Sequence, residues 1–180
     1  MERKLLATNV VCVLGATLLA YVASSAPPEA DRVGFPKDYR SQFKLLGVTV
    51  RDRAPEVLTA YGNEQAASVA GRADLPFPEG SIILMEFSYA LRDANNQIKR
   101  DENGDIKKGE IEHVDVMKRG KGFGQMYGEH RSGEWEYAGY KMDGTYATTP
   151  QESVMCAACH LKAGPENDFV YRMRASSGTM

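Results

Sequence analysis

The chain contains little cysteine, little histidine and no excess of charge of either sign. It has three cysteines, three histidines and one tryptophan among 180 residues. Lys and Arg total 22 and Asp and Glu total 24, which gives a net charge of -2. Because binding to nucleic-acid phosphates needs clustered positive charge, this balance argues against a nucleic-acid partner. The length suits one globular domain, and the composition is neither fibrous nor wholly disordered.

The N-terminus has the pattern of an export signal. Three charged residues, Glu2, Arg3 and Lys4, precede a mostly apolar run over residues 5–22, and small residues follow at 23–26. This order predicts a secretory signal peptide over residues 1–26. Since a run of 18 residues is at the lower edge of what can span a bilayer, a retained N-terminal membrane anchor is the alternative. Both interpretations place the rest of the chain in the periplasm, with a linker over 27–35 and one folded domain over 36–180.

The secondary-structure signals after the N-terminal segment predict a mainly β fold with short helices, in the α+β class. Helices are predicted over residues 37–46 and 65–72, and strands over 48–50, 82–89, 110–117 and 134–142. In the third of these strands, alternation places four side chains on one face: Ile111, His113, Asp115 and Met117. Residues 93–109 are polar and predict a solvated loop or hairpin tip. Strands that follow one another through turn-type links favour an antiparallel sheet.

One short motif near the C-terminus carries chemistry. Cys156, Cys159 and His160 form the pattern C-x-x-C-H. Two thiols at this spacing suit the two vinyl groups of one haem, and the following histidine suits the iron as its proximal ligand. The motif therefore predicts one covalently attached haem c on the C-terminal segment, in agreement with export.

Other interpretations of these cysteines compete with haem. A disulfide between Cys156 and Cys159 is compatible with an oxidising compartment. A redox motif would follow a strand and open a helix at its first cysteine. Zinc would need four ligands, and only His113 and His130 remain, with no paired spacing. The adjacent histidine and the export signal together favour haem.

The late position of the motif limits the class of cytochrome. Only 20 residues follow His160, so a sixth ligand from downstream would have to be Met173 or Met180. The distal side of the haem is therefore expected to come from residues before Cys156. A four-helix-bundle cytochrome would show long helical periodicity, which the β-like stretches of this chain do not.

At this point the chain resembles the superfamily of cytochrome P-460 and the β-sheet cytochromes c′. The resemblance spans most of residues 35–172, and its matching stretches are residues 35–40 (FPKDYR), 61–63 (YGN), 78–86 (PEGSIILME), the C-x-x-C-H motif and 168–170 (DFV). It implies a mostly antiparallel β domain, a homodimer, and a haem whose iron is five-coordinate or weakly six-coordinate with an open distal face.

The resemblance also implies two branches of function. Cytochrome P-460 enzymes oxidise hydroxylamine and carry a lysine cross-linked to the porphyrin, whereas the β-sheet cytochromes c′ bind nitric oxide beside apolar distal groups. In our alignment the cross-linking lysine falls on Met85, and Glu86 follows it as in the family pattern. The chain therefore resembles the branch without the cross-link. A shifted register would instead use Lys118 or Lys121.

Four residues are candidates for the distal side. Met85 and Phe87 share one face of their strand, where they would line an apolar pocket, with Met85 as a distal ligand or as ordinary core packing. His113 and Asp115 share a face of the next predicted strand. They would serve as distal bases in proton transfer, or form a solvated strand face. Candidates for contact with the haem propionates are Tyr39, Arg40 and Arg172.

These observations lead to three functional hypotheses. The first is an exported monohaem cytochrome whose open distal site binds nitric oxide or reacts with peroxide, with a redox protein as its partner. The second is a hydroxylamine-oxidising enzyme of the cytochrome P-460 type. The third is an electron-transfer haem subunit held at a membrane by residues 5–22.

Overall fold

The computed structural model describes residues 31–51, 56–69, 72–102, 104 and 106–172. The chain divides into two units, Met1–Ala30 and Asp31–Met180. The predicted signal or anchor over residues 1–26 lies outside the described residues. Of the helices that are described, none has both the length and the apolar character needed to cross a membrane.

The described residues form one six-stranded sheet in which every strand pairs antiparallel with the next. Its strands are β1 Lys44–Arg51, β2 Glu56–Gly62, β3 Ile82–Ala90, β4 Lys108–Arg119, β5 Trp135–Tyr140 and β6 Tyr146–Thr148. Three short α-helices accompany it in this part of the chain: α1 Tyr39–Gln42, α2 Glu64–Ala67 and α3 Val154–Leu161. There are also 3-10 turns at Arg72–Asp74, Gln125–His130 and Pro165–Asn167. The predicted mainly β, antiparallel fold is confirmed.

The predicted helices are shorter in the structure than in the sequence analysis. The first covers only Tyr39–Gln42, because the chain enters β1 at Lys44 and pairs there with β2. The second covers Glu64–Ala67, where the side chain of Asn63 accepts a hydrogen bond from the Ala66 amide at 3.0 Å. This cap fixes the first turn of α2 directly after β2.

The two faces of the sheet are covered by different helices. One face bears Ile83, Met117 and Tyr137, which pack in the same core as Ala157 of α3. We call it the α3 face. The opposite face, here called the α1 face, buries Leu84, Val114, Val116 and Tyr140 in a core shared with Tyr39 of α1.

A bulge in β4 changes one predicted face. Phe87 pairs with His113, but the next residue of β3, Ser88, pairs with Ile111, so Glu112 is the extra residue. The prediction that Ile111 shares a face with His113 is therefore wrong, and Ile111 packs in the core of the α1 face. His113 remains on the α3 face because the pairing is regular from there to Lys118.

The connection between β3 and β4 contains an eight-residue repeat that the sequence analysis did not identify. Its copies are residues 92–99 (RDANNQIK) and 100–107 (RDENGDIK). Three residues spaced by eight close a ring of main-chain hydrogen bonds: Leu91 donates to Lys107 at 2.8 Å, Lys107 to Lys99 at 2.9 Å, and Lys99 to Leu91 at 2.7 Å. The described residues of this polar segment thus form a structured tip of the β3–β4 hairpin.

Candidate functional site

Helix α3 presents the C-x-x-C-H motif and is fixed by its buried side. Ala157 is fully buried in the core beneath it, and its amide donates to the Ser153 carbonyl at 3.1 Å. Cys156 and Cys159 lie three positions apart, so their side chains are neighbours on the helix surface. Both are free thiols, with Cys156 partly buried and Cys159 exposed. The helix therefore offers two thiols and one imidazole within two turns.

His160 has one ring nitrogen occupied by the protein. Its Nδ1 lies 2.8 Å from the Phe169 carbonyl oxygen, to which it donates. The ring contacts the rings of Tyr137, at 5.0 Å between centroids, and Tyr171, at 5.5 Å. Burial lowers the pKa of His160, which favours the neutral imidazole. Holding Nδ1 in this way leaves Nε2 as the nitrogen for a metal.

The four distal candidates lie together on the α3 face. Met85 pairs with Asp115, and Phe87 pairs with His113, across β3 and β4. The rings of Phe87 and His113 are stacked, with centroids 4.4 Å apart and an interplanar angle of 12°. The His113 Nε2 lies 3.8 Å from the Asp115 Oδ1. The fold therefore brings an apolar pair and an imidazole–carboxylate pair into one patch.

Electrostatics connect Asp115 with the cysteine motif. Burial raises the pKa of Asp115, while the charges of His113 and Arg51 lower it. Burial, with the charge of Asp115 as the next cause, raises the pKa of Cys156 to about 11. Gly139 of β5 leaves room for this carboxylate, because a Cβ there would lie 3.1 Å from the Asp115 Oδ1. Asp115 is thus the member of the distal patch whose charge reaches the Cys156 thiol.

The structure argues against two of the three candidates for contact with the haem propionates. Tyr39 and Arg40 belong to the α1 face, where the Tyr39 hydroxyl donates to Glu86 at 2.6 Å and the Arg40 Nε donates at 2.8 Å. The other candidate for a propionate, Arg172, lies with its guanidinium 6.0 Å from the centre of the Phe77 ring.

The structure also argues against Lys118 as the cross-linking lysine. Its Nζ donates to the Arg32 carbonyl at 2.9 Å. Lys118 pairs with Glu136, and the Glu136 Oε1 lies 2.8 Å from Arg32 as well. Arg32 therefore holds Lys118 on the α1 face, whereas Met85 lies on the α3 face.

The donor set on α3 fits a haem. It has two thiols one helical turn apart and an imidazole whose Nδ1 is tied to the main chain, beside a sheet face with Met85 and Phe87. The extra histidines considered for zinc have other neighbours: His113 faces Phe87 and Asp115, and His130 lies 3.8 Å from Glu129. Among the described residues, no group of three or more His, Cys, Asp and Glu is arranged to hold a metal ion.

The residues that hold His160 were not among those predicted from the sequence. Phe169 supplies the carbonyl for Nδ1, and Tyr137 and Tyr171 contact the ring. Tyr171 also donates to the Cys159 carbonyl at 2.9 Å. Of these residues, only Phe169 lay in a stretch that the family resemblance had singled out, residues 168–170, and the resemblance assigned that stretch no function.

Comparison with known proteins agrees with this site. No curated protein matches the chain. The family model described as Cytochrome P460 matches residues 36–172, which cover most of the chain and include the C-x-x-C-H motif and the described sheet. Members of that family are generally exported. The chain therefore belongs to the cytochrome P460 family, and it is a haem c-type cytochrome.

Proposed function

We propose that this protein is an exported monohaem cytochrome whose distal site admits small neutral molecules and reacts with peroxide. The observation that carries the proposal is the position of His113, stacked on Phe87 and 3.8 Å from Asp115 on the face that α3 covers. An imidazole beside a carboxylate is a proton acceptor and donor of the kind that peroxide chemistry needs.

The chain's own residues would hold the cofactor. Cys156 and Cys159 would form the two thioether bonds, and His160 would bind the iron through Nε2. When bound, the haem supplies an iron that exchanges single electrons and can take a small ligand. The apolar side chains of Met85 and Phe87 favour neutral molecules such as nitric oxide or hydrogen peroxide over ions.

His113 would move the protons of the reaction. Reduction of one peroxide to two waters breaks the O–O bond and consumes two protons and two electrons. The electrons would come from a redox partner protein, and the protons would pass through the His113 imidazole. Phe87 holds the plane of this ring by stacking, and Asp115 lies on its Nε2 side. The carboxylate would therefore help to orient the imidazole.

Hydroxylamine oxidation is a weaker proposal for this chain. In the alignment Met85 occupies the position of the cross-linking lysine, and Lys118, one of the two alternative lysines, is held by Arg32 on the other face. An electron-transfer subunit would need a strong sixth ligand, for which Met85 is the candidate. Export is expected from the sequence, through a signal peptide over residues 1–26 or, as the alternative, with residues 5–22 retained as an anchor. A homodimer is expected from the family resemblance.

Mass spectrometry and optical spectroscopy of the protein produced with a haem-maturation system test the proposal. We expect a mass increase equal to one haem, high-spin bands, and spectral changes on adding nitric oxide and on adding peroxide. A low-spin spectrum indifferent to both ligands would support the electron carrier. A red-shifted ferrous band with a lysine–porphyrin adduct would support hydroxylamine oxidation. A colourless protein without added mass would overturn the haem assignment, and a Cys156→Ala, Cys159→Ala variant gives the matched control.

A further inference from the structure

Two consecutive residues after α3 have left-handed backbone conformations. Asp168 has φ 49° and Phe169 has φ 60°, and neither is glycine. Such conformations are strained in residues other than glycine and persist only where the surrounding structure holds them. This pair follows the 3-10 turn Pro165–Asn167, within ten residues of the axial histidine. The backbone strain at Asp168 and Phe169 must therefore be offset by contacts with other parts of the domain.

Asp168 is held by three separate parts of the domain. Its Oδ2 accepts a hydrogen bond from the Phe77 amide at 2.9 Å and lies 3.3 Å from the Arg119 Nε at the end of β4. Its main-chain carbonyl accepts from the Trp135 indole at 2.9 Å. Asp168 is only 7% exposed. A buried carboxylate with these partners fixes the turn against the sheet.

The next residue is the one that contacts the axial imidazole. The Phe169 carbonyl accepts from the His160 Nδ1 at 2.8 Å. The Phe169 ring lies against Gly133, where a Cβ would come within 2.8 Å of Cδ2. The position of this carbonyl thus depends on the left-handed turn that Asp168 holds.

We infer that Asp168 is a positioning residue for the axial ligand, acting through the Phe169 carbonyl on His160. The carbonyl keeps the proton on Nδ1 and makes the imidazole a stronger donor to iron, which stabilises the ferric state and lowers the reduction potential. This inference rests on the proposed haem at His160, and it assigns a role to the DFV stretch that the family resemblance singled out.

The test compares Asp168→Ala with Asp168→Asn in the haem-loaded protein. Alanine loses the acceptor for the Phe77 amide, whereas asparagine keeps an acceptor oxygen and tolerates the left-handed conformation. We expect Asp168→Ala to raise the midpoint potential and to lower the iron–histidine stretching frequency in the ferrous resonance Raman spectrum. Asp168→Asn should stay close to the parent in both. Glu134→Gln is the matched control, because Glu134 lies 3.6 Å from the other side of Arg119.

A second variant keeps the inference testable if Asp168→Ala does not fold. Trp135→Phe keeps an aromatic ring beside Phe77 but removes the indole donor to the Asp168 carbonyl, so the potential should shift in the same direction by a smaller amount. Parent-like potentials in the foldable variants, with only a lower unfolding temperature, would overturn the inference and leave Asp168 purely structural. Lack of bound haem in the parent would instead refute the proposed function, so the two failures are distinguishable.

Discussion

The imidazole of His113 stacks on the ring of Phe87 across β3 and β4, with centroids 4.4 Å apart. Stacking fixes the plane of the imidazole, and the Asp115 carboxylate at 3.8 Å lies on its Nε2 side. Both contacts follow from strand register, because Phe87 pairs with His113 and Asp115 lies two residues further on the same face. A proton-transferring group on a rigid strand is better placed than one on a loop.

Replacing His113 separates proton transfer from ligand binding. His113→Gln keeps a polar side chain of similar length but cannot exchange a proton near neutral pH. We expect the second-order rate constant for reaction with peroxide to fall about 10²–10⁴-fold, the range of general acid–base catalysis. Nitric oxide binding should change little, because it requires no proton.

Stopped-flow absorption measures both reactions of the His113 variant. His130→Gln is the control, since that histidine is 46% exposed and lies beside Glu129 rather than the distal patch. An unchanged peroxide rate in His113→Gln would remove this residue from the mechanism and leave only the gas-binding half of the proposal.

Met85→Ala tests whether the methionine reaches the distal site. Met85 shares the α3 face with Phe87 and pairs with Asp115. Loss of its side chain should let water nearer the iron, which changes the absorption bands and weakens exclusion of charged ligands. Azide titration followed by absorption measures that exclusion. A spectrum and an azide affinity identical to the parent would show that Met85 is core packing only.

The haem motif and two central strands could be predicted because their signals are local. Covalent attachment needs only Cys156, Cys159 and His160 within five residues, and α3 then places them on one helix. Strand β4 shows alternation in the sequence, and β3 is rich in β-branched and aromatic residues. The register that pairs Phe87 with His113 needs both strands, and the sequence analysis predicted only that each pair shares a face.

The missed features depend on distant contacts. Strand β2 is buried almost throughout, so its sequence lacks the alternation that marks a half-exposed strand. The bulge at Glu112, which moves Ile111 to the α1 face, is visible only in the pairing with β3. Asp168 meets the Phe77 amide across 91 residues of sequence. No local pattern indicates such a contact.

The two motif cysteines should differ in reactivity before haem is attached. Burial and the nearby Asp115 raise the pKa of Cys156 to about 11, whereas Cys159 is exposed. Since the thiolate is the reactive form, about one Cys156 in a thousand is reactive at pH 8. We expect iodoacetamide to modify Cys159 first, and Cys156 modification to rise about tenfold per pH unit toward pH 11.

Peptide mass spectrometry of the apoprotein measures the extent of iodoacetamide modification at each cysteine separately. Denaturant provides the control, because unfolding should remove the difference between the two sites. Equal rates in the folded apoprotein would show that neither burial nor Asp115 protects Cys156.

Tyr39→Phe should reduce stability without affecting the haem. Tyr39 is 2% exposed, and its hydroxyl donates at 2.6 Å to Glu86, which is 3% exposed. Burial, followed by the hydrogen bond to Glu86, raises the pKa of Tyr39, so the hydroxyl keeps its proton as donor. Removing a hydrogen bond to a buried carboxylate costs about 1.5–3 kcal/mol of unfolding free energy. Denaturant unfolding followed by tryptophan fluorescence measures this loss.

The matched control for that change is Tyr89→Phe, because Tyr89 is 53% exposed. Its effect should stay within about 0.5 kcal/mol, as for most surface substitutions. In both variants the haem absorption bands and the peroxide rate should equal those of the parent, since Tyr39 and Glu86 lie on the α1 face and the motif packs on the α3 face. A shift of the haem spectrum in Tyr39→Phe would show that the two faces of the sheet are coupled, which contradicts the separation of stability and chemistry argued from the strand register.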